Sequence, residues 1–312
     1  MPDPARDRTP AVDAETRRRQ RGEQAEAAEA QRLLFEDVRS AFRTPFVPLL
    51  VRRLWSVAPA YLERAWRELK PNVLTRAFEA QSDIIRAAAV REAAQAGAVE
   101  PGAFREALRR RALSTSVVDE IVRAANVACY ADPKILLAAT AFDLALDNEP
   151  VGGAADLLPV EREAIPSGVP EEVSDLPALG DGEAPGRILR LWNDIVATLA
   201  LPAVTDDLRA ISRWPDFLEI VWTTARPHTA RPGVGRLGDM AEEAARRLPF
   251  RFTVGPAAAA QLGLSPAQTT DIARFVKDLR RRLPALVFMM ALARYGLSEE
   301  GGEAVERSPF PV

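Results

Sequence analysis

The sequence predicts an all-α fold built from two tandem helical pseudo-repeats that are related by an approximate twofold axis. Three observations predict this fold. Apolar residues recur mainly three or four positions apart, prolines and glycines interrupt them, and one stretch of the chain recurs about 156 residues later. Convincing alternating strands are absent, because the one run that suggests a strand, FRFTV at 250–254, leads straight into Gly255-Pro256.

The first 30 residues are charged and rich in alanine, and they contain almost no large apolar side chains. Such a segment cannot bury enough apolar surface to offset the entropy lost on ordering. We therefore expect residues 1–30 to be a disordered extension or a frayed helix. Residues 31–149 should form the first repeat and residues 186–312 the second, joined by a long linker at 150–185 that is rich in Pro, Gly and acids, with both repeats in one compact unit.

The internal repeat rests on PAYLERAWRELKP at 59–71, which aligns with PDFLEIVWTTARP at 215–227 at a constant shift of 156. Five of the thirteen positions are identical, whereas average composition predicts about one. The match continues on both sides at shifts of 151 to 157, as loops of unequal length would make it, and Pro133 falls on Pro284. The chain therefore reads as two copies of one helical unit.

Each copy of the repeat places four apolar residues on one helix face, which predicts that this face is buried. They are Tyr61, Leu62, Ala65 and Trp66 in the first copy and Phe217, Leu218, Val221 and Trp222 in the second. For the Trp66/Trp222 pair we favour packing in the core over a ligand-binding role, because aromatic stripes at helical spacing usually form core.

Composition excludes several classes of function. The 41 Lys and Arg against 44 Asp and Glu give a net charge of −3, a poor profile for neutralising phosphates, so nucleic acid is not an expected partner. Cys129 is the single cysteine, so the chain has neither an internal disulfide nor a Cys/His cluster for zinc, and a cytoplasmic location fits. No secretory signal or membrane span is recognisable, and the one histidine, His228, lies in a Pro/Gly-rich loop.

The two copies differ where acids stand in only one of them. Asp206 and Asp207 align with Leu50 and Val51 at the shift of 156. A duplicated chain brings equivalent faces together around its axis, so each half can contribute different groups to a site at the seam. An acid opposite an apolar residue is what an asymmetric pocket would show.

Asp132 also stands opposite an apolar residue, Leu283, but each of these acids has an ordinary structural explanation. Asp132 precedes Pro133, which is typical of an N-cap followed by proline at the first helical position. Thr205 could cap the next helix, with Asp206 and Asp207 in its first turn, where the helix dipole favours acids. The residues alone leave both interpretations open.

Several segments resemble the group I, or D,L-, 2-haloacid dehalogenases over residues 33–312. They are TPFVPLL, APAYLERAW, CYADPKILLAATAF, EPVGGA, TDDLRAISRWPDFLEIV and the terminal SPFPV. Each motif is weak alone, whereas their order, spacing and shared duplication make the resemblance specific. It implies an all-α fold of two pseudo-repeats with a buried site between them, no cofactor or metal, and a homodimer.

The resemblance also implies a reaction. In this family an Asp activates a water molecule that attacks C2 of the haloacid and expels halide with inversion, without an ester intermediate. Asp207 occupies the matching position, seven residues before Trp214 of the Trp-Pro pair. A carboxylate within hydrogen-bond reach of water can take up its proton as the C–O bond forms. The expected substrate is a short 2-haloalkanoic acid.

Other positions match the family only in part. Phe46 stands at an aromatic pocket position, and Leu49 replaces a larger aromatic residue. Asp132 stands where the family has an Asn that helps hold the attacking water, and Asp206 replaces a Ser. We therefore expect Asp132 to contact the water, and Phe46, Leu49 and Asp206 to contact the substrate.

The two added acids should repel an anionic substrate by several kcal/mol unless one is protonated or a cation intervenes. Arg281, in the run Arg280–Arg282, is the cation we expect to compensate, and the alternative is that this run forms a solvated basic face.

Two hypotheses about function follow. In the first, the protein is a hydrolase that acts on the carbon–halide bond of short 2-haloacids. In the second, it is a divergent, non-catalytic member that binds small carboxylic acids or acts as a helical interaction protein. Ester-forming dehalogenases on an α/β fold and those with a His-activated water need patterns that this chain lacks.

Overall fold

Helices carry the regular structure of residues 10–176 and 179–312, which a computed structural model describes. The α-helices are α1 Pro10–Phe42, α2 Leu49–Val57, α3 Pro59–Val73, α4 Arg76–Gln95, α5 Ala103–Arg110, α6 Thr115–Leu146, α7 Gly186–Leu199, α8 Asp206–Ile211, α9 Pro215–Ala225, α10 Pro232–Arg246, α11 Pro256–Gln261, α12 Pro266–Leu297 and α13 Glu303–Glu306. Over these residues the β-structure is one antiparallel bridge between Thr75 and Ala164. The predicted all-α class is confirmed, and FRFTV at 250–254 forms no strand.

Helices α6 and α12 form the central pair of the fold. Each is 32 residues long, and the two pack against each other. Each follows a serine whose hydroxyl accepts a hydrogen bond from the third backbone N–H beyond it, Ser114 for α6 and Ser265 for α12. Pro133 and Pro284 stand at the same interval after these serines, inside unbroken helices.

The helix order supports the predicted duplication. Helices α2 to α6 succeed one another in the first half as α8 to α12 do in the second, and α3 and α9 both begin with proline at the first position. The two-repeat organisation and its boundaries stay a prediction that this order favours.

The repeated apolar face lies in the core, as predicted. All eight of its residues are buried, with Trp66 at 5% and Trp222 at 2% exposure. The ring of Trp66 stacks on Phe42 with centroids 5.9 Å apart, and the indole N–H of Trp222 donates to Asp194 Oδ2 at 2.7 Å. Burial of large aromatic side chains contributes much of the stability of such a core.

A charged pair lies inside the first half of the chain. Lys134 Nζ on α6 is 2.6 Å from Glu79 Oε2 on α4 and donates to the Tyr130 hydroxyl at 2.6 Å. The side chain of Lys134 is only 1% exposed, and burial lowers its pKa to about 8, against the opposing effect of Glu79. The ion pair offsets part of the cost of placing an ammonium group in the interior.

The chain divides into a helical segment that ends at Val38 and a unit from Arg39 to Val312. The predicted disordered or frayed extension, residues 1–30, falls partly outside the described residues; α1 begins at Pro10. In its described residues the predicted linker carries three short 3-10 helices between α6 and α7, Pro159–Arg162, Glu171–Val173 and Asp181–Glu183. No helix of the described residues is long and apolar enough to cross a membrane.

Candidate active site

Three acids predicted from the sequence are buried on two helices that pack together. Asp132 lies in the middle of α6, while Asp206 and Asp207 begin α8, and α6 contacts α8. The exposed fractions of Asp132, Asp206 and Asp207 are 1%, 7% and 3%. Buried carboxyl groups are rare unless they are paired or functional, so this concentration marks a candidate active site.

The interpretation of Asp132 as an N-cap is wrong, because α6 runs unbroken from Thr115 to Leu146. For α8 the expected start is confirmed: Thr205 is the N-cap residue, although its side chain makes no capping hydrogen bond. Asp206 and Asp207 are thus first-turn residues that are also buried, so the helix-start explanation does not account for their burial.

Asp207 is a buried carboxyl group whose pKa is raised. Burial raises its pKa to about 6, while the nearby Thr205 hydroxyl and the backbone N–H groups of Asp207 and Leu208 lower it. Its Oδ2 atom is buried and has no hydrogen-bond partner among the described residues. At neutral pH the group is ionised, and it is more basic than an ordinary aspartate.

Asp132 is more strongly perturbed than Asp207. Burial raises its pKa well above the usual value, and the negative charge of Asp207 raises it further. Its Oδ2 atom is likewise buried without a hydrogen-bond partner in the part of the chain that the structure describes. The charge of Asp207 therefore opposes ionisation of Asp132, and Asp132 binds its proton more tightly than an isolated aspartic acid does.

Asp206 is paired with a cation from the other half of the chain. Arg52 Nη2, on α2, lies 2.8 Å from Asp206 Oδ1 and 3.0 Å from Asp206 Oδ2. Burial raises the pKa of Asp206 to about 6, against the lowering effect of Arg52. The pair joins segments 154 residues apart in sequence.

Phe46 and Leu49 lie at the start of the helix that carries Arg52. Phe46 is 7% exposed in the turn before α2, where its carbonyl accepts a hydrogen bond from Thr44 Oγ1 at 3.0 Å. Leu49 is the first residue of α2 and is half-buried. Leu49 thus shares a helix with Arg52, and Phe46 lies three residues before that helix begins.

Arg281 is not brought to the acids. It is exposed and lines a surface cleft of about 500 Å³ between the start of α10 and the middle of α12, whose lining contains none of the three acids. Its neighbour Arg280 pairs with Asp143 and Glu242. The cation next to Asp206 is Arg52 and not Arg281, because α2, rather than the 280–282 segment, meets the start of α8.

A second arginine near Asp206, Arg209, was also not predicted from the sequence. The guanidinium of Arg209 lies over the ring of Trp192, 5.2 Å from its centroid, and donates to the Leu179 carbonyl at 3.3 Å. Its charge helps to lower the pKa of Asp206. The Trp192 indole N–H in turn donates to Ser212 Oγ at 2.7 Å, which ties α7 to the end of α8.

The arrangement places Asp207, a carboxyl group of raised basicity, near Asp132, whose pKa is raised more strongly, with a cation on the neighbouring Asp206. An ionised carboxylate of raised basicity can accept a proton from water, and a neutral carboxyl group can both donate and accept a hydrogen bond. Among the side chains that the structure describes, no group of three or more His, Cys, Asp or Glu could hold a metal ion. His228 lies half-buried in the 3-10 helix Arg226–His228.

Known proteins of similar sequence are dehalogenases, although no family model matches the chain. An (R)-2-haloacid dehalogenase of Pseudomonas putida is 28% identical over 260 residues, which cover 81% of this chain and 84% of that protein. A configuration-inverting 2-haloacid dehalogenase of Alcaligenes xylosoxydans xylosoxydans is 26% identical over 284 residues, which cover 89% and 93%.

Solved structures of similar fold agree. The crystal structure of a D-2-haloacid dehalogenase mutant superposes with a TM-score of 0.79 at 25% identity, covering 86% of this chain and 91% of that one. A mutant of D-2-haloacid dehalogenase in complex with D-2-CPA gives a TM-score of 0.78 at 26% identity, covering 87% and 92%. The predicted all-α fold and the predicted likeness to 2-haloacid dehalogenases are confirmed, whereas the assignment to the D,L- group stays a prediction.

Proposed function

We propose that this protein hydrolyses the carbon–halide bond of short 2-haloalkanoic acids by the direct attack of a water molecule that Asp207 activates. The observation that carries the proposal is the burial of Asp207 and Asp132 on two helices that pack together, each with an Oδ2 atom that has no hydrogen-bond partner among the described residues. This pair belongs to a chain whose relatives are 2-haloacid dehalogenases.

The reaction proceeds in one displacement. Asp207 accepts a proton from the water as the water oxygen bonds to C2, and the halide leaves from the opposite side with the electron pair of the broken bond. The product is the 2-hydroxyacid of inverted configuration, and Asp207 then releases its proton to solvent. A base with a pKa near the working pH is efficient because it is largely ionised and still accepts a proton readily.

Asp132 holds the water in this proposal. Its protonated carboxyl group supplies both a donor and an acceptor, which are the hydrogen-bonding functions of the Asn side chain expected at this position. A second ionised carboxylate there would repel the anionic substrate, whereas the neutral form does not. The raised pKa of Asp132 thus makes the substitution compatible with catalysis.

The proposal also covers which enantiomer reacts. We infer that the protein belongs with the group I enzymes, which take both D- and L-2-haloacids, while two relatives are named (R)-2-haloacid dehalogenases. Phe46 and the smaller Leu49 are proposed to border the substituent at C2, and the reduced side chain at Leu49 leaves more room there. Halide release from D- and L-2-chloropropionate, measured separately, tests this placement.

We also propose that the protein acts as a homodimer in the cytoplasm. The single, buried Cys129 leaves no internal disulfide to be lost in a reducing compartment. Sedimentation at several concentrations tests the dimer, because a monomeric mass over the whole range contradicts it.

A single-turnover reaction in ¹⁸O-labelled water tests the mechanism. With enzyme in excess over 2-chloropropionate, direct attack places ¹⁸O in the hydroxyacid and leaves Asp207 unlabelled. An ester mechanism places unlabelled oxygen in the first product and labels the carboxylate later. No halide release from a panel of 2-haloacids would instead favour the non-catalytic carboxylic-acid-binding protein.

A further inference from the structure

The guanidinium of Arg52 has donor capacity that Asp206 does not use. Asp206 engages one of its nitrogens, Nη2, through both carboxylate oxygens. The Nε–H group is buried and has no hydrogen-bond acceptor among the residues that the structure describes. A buried donor without an acceptor is costly, so an anion placed there gains the interaction that the protein leaves open.

The charge around the site makes such a donor necessary. A 2-haloacid is an anion, and it must approach two ionised side chains, Asp206 and Asp207. Of the cations near Asp206, Arg209 is held against Trp192 and the Leu179 carbonyl. Arg52 lies one residue from Val51, the position that the sequence repeat aligns with Asp207. Through its pair with Asp206, the residue before Asp207, it reaches the start of α8 from the first half of the chain.

We propose that Arg52 binds the carboxylate of the substrate, with Asp206 as the positioning residue that holds its guanidinium. This inference rests on the proposed function and adds to it the group that recognises the substrate. Each half of the chain then supplies one part of the reaction: the first half binds the anion and the second half carries the base. The planar fork of an arginine is well suited to a carboxylate, which it can bind through two nitrogens.

The role of Arg52 limits the substrate class. The site takes the ionised acid, because an amide or an ester of the same acid offers no charge to the guanidinium. 2-Chloropropionate should therefore react, and other small carboxylates should compete with it for the site. 2-Chloropropionamide should neither react nor compete.

The test compares Arg52→Met with Arg53→Met. Arg53 is the next residue of α2 and is exposed, so it is a matched control. We expect Arg52→Met to raise KM for 2-chloropropionate about 10- to 100-fold, the worth of a charge-assisted hydrogen bond, with a smaller change in kcat. Arg53→Met should leave both constants at the wild-type values. An unchanged KM in a folded Arg52→Met protein overturns the proposal.

A double variant separates binding from simple neutralisation. If Arg52 only cancels the charge of Asp206, then Arg52→Met combined with Asp206→Asn restores the wild-type KM, and the proposal is wrong. If Arg52 binds the substrate, the double variant keeps the raised KM. Should Arg52→Met not fold, Arg52→Lys decides: it keeps the charge but lacks the Nε donor and the planar fork, so an increase of KM is expected and a wild-type KM counts against the proposal.

Equilibrium binding distinguishes a failure of this inference from a failure of the proposed function. Calorimetric titration of Asp207→Asn with 2-chloropropionate measures affinity without turnover. Adding Arg52→Met to that variant should weaken binding about 10- to 100-fold. The inference is overturned if Asp207→Asn and the double variant bind 2-chloropropionate with equal affinity, or if Asp207→Asn does not bind it at all. If the wild type releases no halide but the binding still depends on Arg52, only the proposed reaction is overturned.

Discussion

The charge of Asp207 raises the pKa of Asp132, although the two residues lie 75 positions apart on different helices. The interaction exists because α8 packs against the middle of α6 and because both carboxyl groups are buried. A pair of this kind ionises in two steps, so over an interval of pH it holds one negative charge and one proton. The proposed reaction uses that singly protonated state.

Replacement of Asp207, the proposed base, should lower activity while it raises stability. Asp207→Asn is expected to reduce kcat about 10²- to 10⁴-fold, the usual contribution of a general base. The same change should stabilise the fold at neutral pH by about 3 kcal/mol at most, because burial raises the pKa of Asp207 to about 6 and the ionised form is therefore disfavoured in the native state.

The pH dependence gives the sign of this stability effect. A carboxyl group whose pKa is raised in the native state makes the folded protein less stable as the pH rises. The loss occurs between the pKa of the group in the unfolded state, near 4, and its pKa in the native state, near 6. The melting temperature of Asp207→Asn should exceed that of the wild type increasingly between pH 4 and 6 and by a constant amount above. Asp271→Asn, at an exposed position, is the control. Wild-type turnover by Asp207→Asn would contradict the assignment.

The rate should follow the ionisation of the pair. We expect kcat/KM to rise with pH through about 6, as Asp207 becomes ionised, and to fall at higher pH, when Asp132 loses its proton. Asp132→Asn should retain activity and abolish the high-pH decline, because an amide cannot ionise. Stopped-flow or pH-stat measurement of proton release records both the rise of kcat/KM near pH 6 and its fall at higher pH. Loss of activity in Asp132→Asn would show that the ionised carboxylate is required.

Removal of the buried lysine should be strongly destabilising. Lys134→Met leaves Glu79 buried without its partner, and we expect the free energy of unfolding to fall by about 3 to 5 kcal/mol. The double variant Lys134→Met/Glu79→Gln should recover much of the loss, because no uncompensated charge remains. Chemical denaturation measures both. The exposed pair of Lys277 and Asp147 provides the control, since Lys277→Met should cost less than about 1 kcal/mol.

Two glycines of α10 should respond to alanine with opposite signs. A Cβ atom at Gly233 would lie 1.7 Å from Glu92 Oε2, and Glu92 is itself buried and paired with Arg231 at 2.7 Å. A Cβ atom at Gly235 would meet no other atom within 4 Å. Gly233→Ala should destabilise by about 1 to 3 kcal/mol, and Gly235→Ala should stabilise by about 0.5 to 1 kcal/mol. Thermal unfolding of both variants checks the pair, and equal shifts would contradict it.

Much of the helical core could be predicted from spacing alone. The i, i+1, i+4, i+5 pattern of the Trp66 and Trp222 segments fixes which helix face is apolar, and burial of that face follows from the hydrophobic effect without knowledge of its partners. The repeat alignment also singled out Asp132, Asp206 and Asp207 as acids opposite apolar residues. The structure finds all three buried.

The local rule for Asp132 failed because it considers only neighbours in sequence. Asp before Pro favours an N-cap, yet helix-forming residues continue on both sides of Pro133, and α6 is buried along most of its second half. Packing of α6 against α12 keeps the helix intact past a proline that lacks its backbone donor. Tertiary contacts therefore override the local preference.

Arg52 could not be found from spacing. Its partner Asp206 lies 154 residues away, and nothing in the sequence around either residue indicates an ion pair. We expected Arg281, in the run Arg280–Arg282, to be the compensating cation, whereas the observed pair depends on where α2 and α8 meet. The available signal was indirect: Arg52 adjoins the repeat counterpart of Asp207.

The connection between α6 and α7 has a practical consequence. It is exposed at Leu158 and Val160, and its described residues form short 3-10 helices and one β-bridge, at Ala164. The α6–α12 packing and the Arg52–Asp206 contact join the parts of the chain on its two sides. A peptide bond severed there would leave both fragments attached through non-covalent forces. Split into two co-expressed polypeptides, the enzyme should reassemble, so that complementation of fragments offers a direct way to mix the halves of different dehalogenases.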